Sequence, residues 1–157
     1  GSRRRCRSAC RPCLSVPFSA VASGRYGRRM DIIRTADAPA PVAGAPYSQA
    51  IATGEMIFVS GQVPLDPSGR LVDGGVDAQT AQSLHNVAAI LAAAGAGLQD
   101  VVKTTVYMTD LREFGAMNAT YAAIFGTHAP ARPTVQVAAL PAGAQVEIDA
   151  IAVIAAR

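Results

Sequence analysis

The sequence predicts an α+β fold in which two helices cover one face of a mixed β-sheet. The apolar pattern along the chain gives the order three strands, helix, strand, helix, two strands. The length of 157 residues fits one domain with a core of ordinary size. The last predicted strand is apolar on both faces, which indicates that a second layer covers each side of the sheet.

The first 29 residues differ in composition from the rest of the chain. They contain eight arginines and no acid, whereas residues 30–157 contain six Lys or Arg against eleven Asp or Glu, a net charge of −5. We interpret residues 1–29 as a basic, disordered leader. It is either an organellar transit peptide or, as we favour, translated upstream or tag sequence before a natural start at Met30. We therefore place the function in one domain, residues 30–157. We expect a cytoplasmic protein, or an organellar one if the leader is a transit peptide.

The same charge distribution argues against several function classes. The acidic body has no cluster of cations, so we predict no nucleic-acid-binding domain, although the basic leader could still touch nucleic acid or an anionic membrane. No apolar run reaches the length of a membrane span. The spacing of Cys6, Cys10 and Cys13 matches an iron–sulfur pattern, but the chain is too short for the barrel that such enzymes need. Since His85 and His128 have no partner at metal-ligand spacing, we predict no metal site.

Three strands are predicted in the first third of the body. The segment MDIIRT, which begins at Met30, has the first strand-like pattern. Residues 47–53 (YSQAIAT) and 55–62 (EMIFVSGQ) read as two strands paired about Gly54. Residues 65–75 are rich in turn formers and separate these strands from the first helix.

Two helices follow, with a strand between them. From Asp77 onward apolar residues recur at helical spacing, and Gly95 is a natural stop. The β-branched residues 101–109 predict a strand. Asp110 is expected to cap the second helix in a capping box with Glu113. The apolar face of that helix is predicted to consist of Leu111, Phe114, Met117, Tyr121, Ile124 and Phe125.

The chain ends with two more predicted strands, near 134–139 and 145–154. In the last one, alternate positions from Val146 to Ile154 are apolar throughout, and the intervening positions turn apolar after Asp149. The helices can cover only one face of this strand. We therefore expect another subunit to cover the other face, and we predict an oligomer.

Two isolated charges near the C-terminus are candidate site residues. Arg132 lies in the motif P-A-R-P, where Pro133 keeps its backbone extended and would direct the guanidinium toward a carboxylate. Glu147 is a lone acid in an apolar strand, where partial burial would suit a general base. Each residue also has an ordinary alternative, a solvated surface arginine and an exposed strand end beside Asp149. Taken singly, those alternatives are favoured.

Six segments in order resemble the reactive intermediate deaminase family, which is also called YjgF and often labelled endoribonuclease L-PSP. Any one segment is weak evidence, but the ordered set is specific and covers residues 31–157 almost without gaps. The segments are APYSQA (45–50), FVSGQVPLD (58–66), VVKTTVYMTDL (101–111), MNATYAAIF (117–125), PARPTVQVAALP (130–141) and VEIDAIA (146–152).

The resemblance implies a chorismate-mutase-like fold and a homotrimer with active sites between subunits. The implied activity is hydrolytic deamination of 2-iminobutanoate and 2-iminopropanoate to 2-oxo acids and ammonia, without a cofactor. It gives catalytic roles to Glu147 and Arg132, and Arg132 would also bind the substrate carboxylate. Many members carry cysteine at the position of Thr134, so a thiol cannot be required here. The implied substrate contacts are Arg132, Tyr47, Ser60, Gly61, Asn118 and Thr134.

Three other functions stay open on the sequence alone. A paralogue could act on a different imine, and a trimer without turnover could bind ligands or act as a chaperone. The third is the ribonuclease activity that the old label suggests, against which the acidic body argues.

Overall fold

The computed structural model describes residues 30–154, so the predicted leader at 1–29 lies outside the described residues. The described chain forms one six-stranded sheet with two helices against it. The strands are β1 (Met30–Ile33), β2 (Ala50–Thr53), β3 (Met56–Gln62), β4 (Val101–Met108), β5 (Thr134–Gln136) and β6 (Val146–Val153). The helices are α1 (Val76–Ala93) and α2 (Phe114–Phe125).

The predicted order of elements and the mixed sheet are both confirmed. The strands lie in the order β1-β2-β3-β6-β4-β5, and every neighbouring pair is antiparallel except the parallel pair β4–β5. The last long strand, β6, therefore lies between β3 and β4 in the middle of the sheet. A central strand has neighbours on both edges and packing partners on at least one face, which accounts for its apolar composition.

The core lies between the helices and one face of the sheet. The even positions of β6 are buried from Val146 to Ala152, and they meet α1, which also packs against β3 and α2. Each fully buried aliphatic side chain contributes about 1.5–3 kcal/mol relative to an exposed one. On α1 the apolar side chains without exposed area are Leu84, Val87, Ile90 and Leu91.

The opposite face of the sheet, which we call the open face, carries a row of apolar side chains. The register aligns Ile32 with Ile51, Ile51 with Phe58, and Phe58 with Ile151 across four neighbouring strands. Ile32 is 51% exposed and Phe58 is 40% exposed. Within one protomer nothing in the described chain covers this row, so only one of the two predicted covering layers is present.

The prediction for the start of the second helix is partly wrong. The Asp110 carboxylate accepts a hydrogen bond from the Arg112 amide at 2.9 Å, and the Glu113 side chain does not complete a capping box. Residues 111–113 form a 3₁₀ turn before α2 begins. Leu111 in that turn and Phe114 at the first position of α2 are each 40% exposed, so the start of the predicted apolar face is not buried. The predicted face is buried further along, at Met117, Tyr121 and Phe125.

Strand ends also differ from the sequence prediction. The predicted strand 47–53 begins only at Ala50, because the Gln49 side chain turns inward to bind the preceding loop. The predicted strand 134–139 ends at Gln136. The first helix agrees within one residue of its predicted start, and Gly95 lies two residues past its end with a φ of 77°, in the left-handed region that favours glycine.

Candidate active site

A cavity of about 450 Å³ lies where β3 and β6 meet the loops before β2 and β6. Its walls are mainly apolar. Three of the predicted site residues, Tyr47, Ser60 and Glu147, contribute polar groups to it, and Gly61 lines it as well. The remaining lining residues are Pro39, Ala40, Val42, Gln49, Gln62, Val63, Leu65, Pro141 and Ala142.

A β-bulge brings β3 close to Glu147. Val59 pairs with Ala150 but Gln62 pairs with Ile148, so two residues of β3 oppose a single residue of β6. One of these two is Gly61. A Cβ at this position would lie 2.9 Å from Glu147 Cδ and would overlap the carboxylate. A side chain at this position would therefore displace the Glu147 carboxylate from the place it occupies.

Ser60 and Tyr47 are tied to the loop that forms one wall of the cavity. Ser60 Oγ donates to the carbonyl of Ser48 at 2.7 Å, and its amide donates to the carbonyl of Gln49 at 3.0 Å. The Tyr47 hydroxyl accepts from the amide of Val42 at 3.2 Å, while the side chain stays 48% exposed. Both residues thus hold the wall in place and present polar atoms at its surface.

Sequence reasoning missed two buried amides that shape the same cavity. Gln49 Nε2 donates to the carbonyls of residues 35, 38 and 39, which secures the first loop. Asn86, on α1, donates to the carbonyls of Val63 and Leu65 at 3.2 and 2.9 Å. The sequence signal that could have found them is an amide side chain at a position that the apolar pattern predicts to be buried. A buried amide needs hydrogen-bond partners.

Glu147 is the only acid lining this cavity among the described residues. Within residues 30–154 no group donates a hydrogen bond to its carboxylate. Burial raises the pKa of Glu147 above its usual range, and the negative charge of Asp149 raises it further. A half-buried carboxylate with a raised pKa and free oxygen atoms can act as a general base toward a water molecule.

Arg132 lies elsewhere, against α2. Its Nη2 donates to Asn118 Oδ1 at 2.6 Å, and its Cζ lies 4.3 Å from the centroid of the Tyr121 ring. Within the described residues no carboxylate forms a salt bridge with it. Asn118 and Tyr121 therefore fix the direction of the guanidinium without neutralising its charge, which leaves it able to bind an anion.

Thr134 is close to Arg132 in the chain but is part of the sheet. It is the first residue of β5 and pairs with Val106 of β4. The carbonyl of Pro133 accepts from the Val106 amide at 3.0 Å, so the segment that carries Arg132 is held to the edge of the sheet. A second cavity, of about 330 Å³, adjoins Arg132 and is lined by Tyr121, Ala122, Phe125, Gly126, His128, Ala129 and Pro130.

Within one protomer, the predicted site residues therefore lie in two separate groups, which we call half-sites. The Glu147 half-site (Tyr47, Ser60, Gly61 and Glu147) lines the first cavity. The Arg132 half-site (Asn118, Arg132 and the adjoining Thr134) lies against α2 and the β5 edge. Glu147 occupies an odd position of β6, away from the helices, whereas Arg132 stacks on a helix residue. The two charged groups therefore do not meet within one chain.

Neither histidine belongs to a metal centre in residues 30–154, where no group of three His, Cys, Asp or Glu side chains is placed to hold an ion. His128 Nε2 lies 2.7 Å from the carbonyl of Val101, which gives this residue a structural role. No described helix has the length and apolar character that a bilayer span requires.

Comparison with known proteins adds sequence relatives and structural neighbours. Residues 36–154 match the family described as Endoribonuclease L-PSP. A mouse protein named 2-iminobutanoate/2-iminopropanoate deaminase is 50% identical over 123 residues, which cover 78% of this chain and 90% of that protein. A RutC family protein of Pyrococcus horikoshii is 48% identical over 123 residues, 78% of this chain and 96% of the relative.

Solved structures share the same α+β fold. The YjgF gene product of E. coli superposes with a TM-score of 0.74 at 46% identity, covering 78% of this chain and 98% of its own. E. coli TdcF, solved with bound serine, superposes with a TM-score of 0.75 at 42% identity, covering 80% of this chain and 99% of its own.

Proposed function

This chain belongs to the endoribonuclease L-PSP family, and on that premise we propose that it is a 2-iminobutanoate/2-iminopropanoate deaminase. The relative of that name is 50% identical over most of both chains. The observation that carries the proposal is the Arg132 guanidinium, which Asn118 orients and no carboxylate of the described chain neutralises. An enzyme for small 2-imino acids needs such a group, because its substrates are carboxylates.

We further propose a homotrimer in which each active site combines the half-sites of two protomers. Two features support this assembly. Arg132 and Glu147 lie on different sides of the sheet, so a site that uses both needs a second chain. The open face also exposes apolar side chains, Ile32 and Phe58 among them, that would gain from burial against another protomer. The position of Glu147 on this face would bring it to the seam.

In the proposed reaction, Arg132 binds the substrate carboxylate through charge-assisted hydrogen bonds worth about 1.5–3 kcal/mol each. The substrate reacts as its protonated imine, and Glu147 of the neighbouring protomer accepts a proton from water as the water oxygen bonds to the iminium carbon and the C=N π electrons move to nitrogen. The C–N bond of the resulting aminoalcohol then breaks. The protonated Glu147 carboxyl returns its proton to the leaving nitrogen, which departs as ammonia, while the hydroxyl oxygen forms the carbonyl and its proton passes to the regenerated Glu147 carboxylate and on to solvent. The products are a 2-oxo acid and ammonia, and water is the only co-reactant.

A coupled assay tests this function. A threonine dehydratase generates the four-carbon imine in solution, and formation of 2-oxobutanoate is followed with and without this protein. We expect the wild-type protein to accelerate the reaction and Arg132→Ala to abolish the effect while staying folded. The matched control is Arg34→Ala, which removes an exposed cation that belongs to neither half-site.

Three results would overturn the proposal or redirect it. No acceleration by the wild-type protein would exclude the activity on this substrate. Full activity in folded Arg132→Ala would exclude the proposed carboxylate site, whereas a wild-type protein without turnover would leave a binding or chaperone role open. A second candidate is a family paralogue that deaminates another imine. Faster turnover of imines made in situ from other amino acids would support that candidate.

A further inference from the structure

A second carboxylate, Asp149, lies on the same face of β6 as Glu147, and β4 holds it at both oxygen atoms. Asp149 Oδ1 accepts from the amide of Thr105 at 3.0 Å, and Oδ2 accepts from the hydroxyl of Tyr107 at 3.1 Å. Its orientation is therefore set by one backbone donor and one side-chain donor of a neighbouring strand.

The pairing of β4 with β6 shows how the hydrogen-bond donors are divided between the two acids. Tyr107 is paired directly with Glu147, yet its hydroxyl donates to Asp149, the partner of Thr105. In residues 30–154 every donor that reaches this pair of acids goes to Asp149 and none goes to Glu147. Two acids on one strand face thus have different environments, one held by hydrogen bonds and one left free for chemistry.

We propose that Asp149 is a positioning residue for the reaction, an anion held by Tyr107 and Thr105 that acts through Glu147 without touching the substrate. This rests on the proposed function of Glu147 as the base. Asp149 would act through its charge, at a separation of two residues along one strand, or about 6–7 Å between backbones. At that distance a charge in a partly buried site still interacts with its neighbour.

The electrostatics of the surrounding groups agree with this role. The pKa of Glu147 is raised first by burial and then by the charge of Asp149. The pKa of Tyr107 is also raised, by burial and then by Asp149, so its hydroxyl remains a donor. Of the other strands and loops, β4 also contributes Lys103 and the loop before β2 contributes Tyr47. Lys103 forms no salt bridge with Asp149 within the described chain.

The bulge of β3 and the turn before β6 add no further charged side chain near Glu147 and Asp149. The bulge of β3 contributes only Ser60 and Gly61, and the turn before β6 contributes Pro141 and Ala142 to the cavity wall. Asp149 is therefore the anion that faces Glu147 from the described chain. A base with a higher pKa removes a proton from water more readily, as long as it is ionised at the working pH.

Two measurements on the same variants test the proposal. The first follows the side-chain carboxyl carbon of Glu147 by NMR as the pH is varied, with the signal assigned through Glu147→Gln. The second records kcat and kcat/KM for imine hydrolysis against pH. The variants are Asp149→Asn, Asp149→Glu and Tyr107→Phe. Glu55→Gln is the matched control, because it removes one exposed negative charge. Glu55 lies beside the far end of β6, about 20 Å from Glu147 as measured along that strand, which is beyond the screening length in physiological salt.

We expect Asp149→Asn to move the Glu147 titration and the acid limb of kcat/KM to lower pH together, and to lower the plateau of kcat by about two- to tenfold. Asp149→Glu should restore most of the titration shift, and Tyr107→Phe should lower kcat with a smaller shift. Glu55→Gln should change neither. An unchanged Glu147 titration in Asp149→Asn would overturn the proposal. Since the NMR titration needs no substrate, that failure is distinct from an absence of deaminase activity.

Discussion

The separation of Arg132 and Glu147 on one chain leads to a complementation experiment. Two variants, Arg132→Ala and Glu147→Gln, each damage one half-site and leave the other intact. In the proposed homotrimer, each variant alone should be inactive, because every site carries the same substitution. If a site joins two protomers, a mixed trimer contains some sites in which an intact Arg132 meets an intact Glu147.

The size of the recovered activity follows from the geometry. After random reassembly of equal amounts, a given protomer has an even chance of being either variant. An intact site needs Glu147→Gln on its Arg132 side and Arg132→Ala on its Glu147 side, so about one quarter of sites are intact. We expect about 25% of wild-type activity from the mixture, against about 1% or less for each variant alone, since removing a general base typically costs at least about 100-fold.

The assay compares three samples taken through the same dissociation and refolding cycle. The wild-type protein sets the full activity, the equal mixture is the test, and each variant alone sets the background. The rate of 2-oxobutanoate formation is measured in the coupled assay at fixed total protein.

Recovery close to background in a mixture shown to contain mixed trimers would refute the reasoning. It would mean that each site draws both charged groups from one chain, so that every site in the mixture keeps one lesion.

Two further predictions follow from the Glu147 half-site. The pKa of Glu147 is raised in the folded state above its value in the unfolded chain. The folded protein therefore loses stability as the pH rises past the ordinary glutamate pKa of about 4.3 and Glu147 becomes charged. Glu147→Gln should therefore unfold at a higher temperature than wild type at pH 7–8, an advantage that disappears below about pH 4; equal melting temperatures at pH 8 would contradict this. Gly61→Ala should displace the Glu147 carboxylate and reduce kcat by about 100-fold with a near-normal circular dichroism spectrum. Retention of full kcat would show that the carboxylate can shift without loss of function.

Much of the fold could be predicted because the relevant signal is local. The spacing of apolar residues reports which face of an element is buried, and the sequence prediction placed the start of α1 and the end of β4 within one residue of their observed positions. The two-faced composition of the last strand also predicts a covering layer from another subunit, and this stays a prediction. At Asp110 the same local logic failed, since the neighbouring Arg112 amide took the carboxylate that the expected capping box would have used.

Less of the candidate site than of the fold could be predicted from the sequence. The sequence alone singled out Arg132 and Glu147 as isolated charges, and the family resemblance supplied roles for both and for the residues around them. Neither could show that the two charges lie on different sides of one sheet, that a bulge presses Gly61 against Glu147, or that β4 holds Asp149. The spacing of apolar residues along a segment shows only which of its faces is buried. Register, bulges and cross-strand hydrogen bonds depend on residues far apart in the chain, so only the tertiary structure decided them.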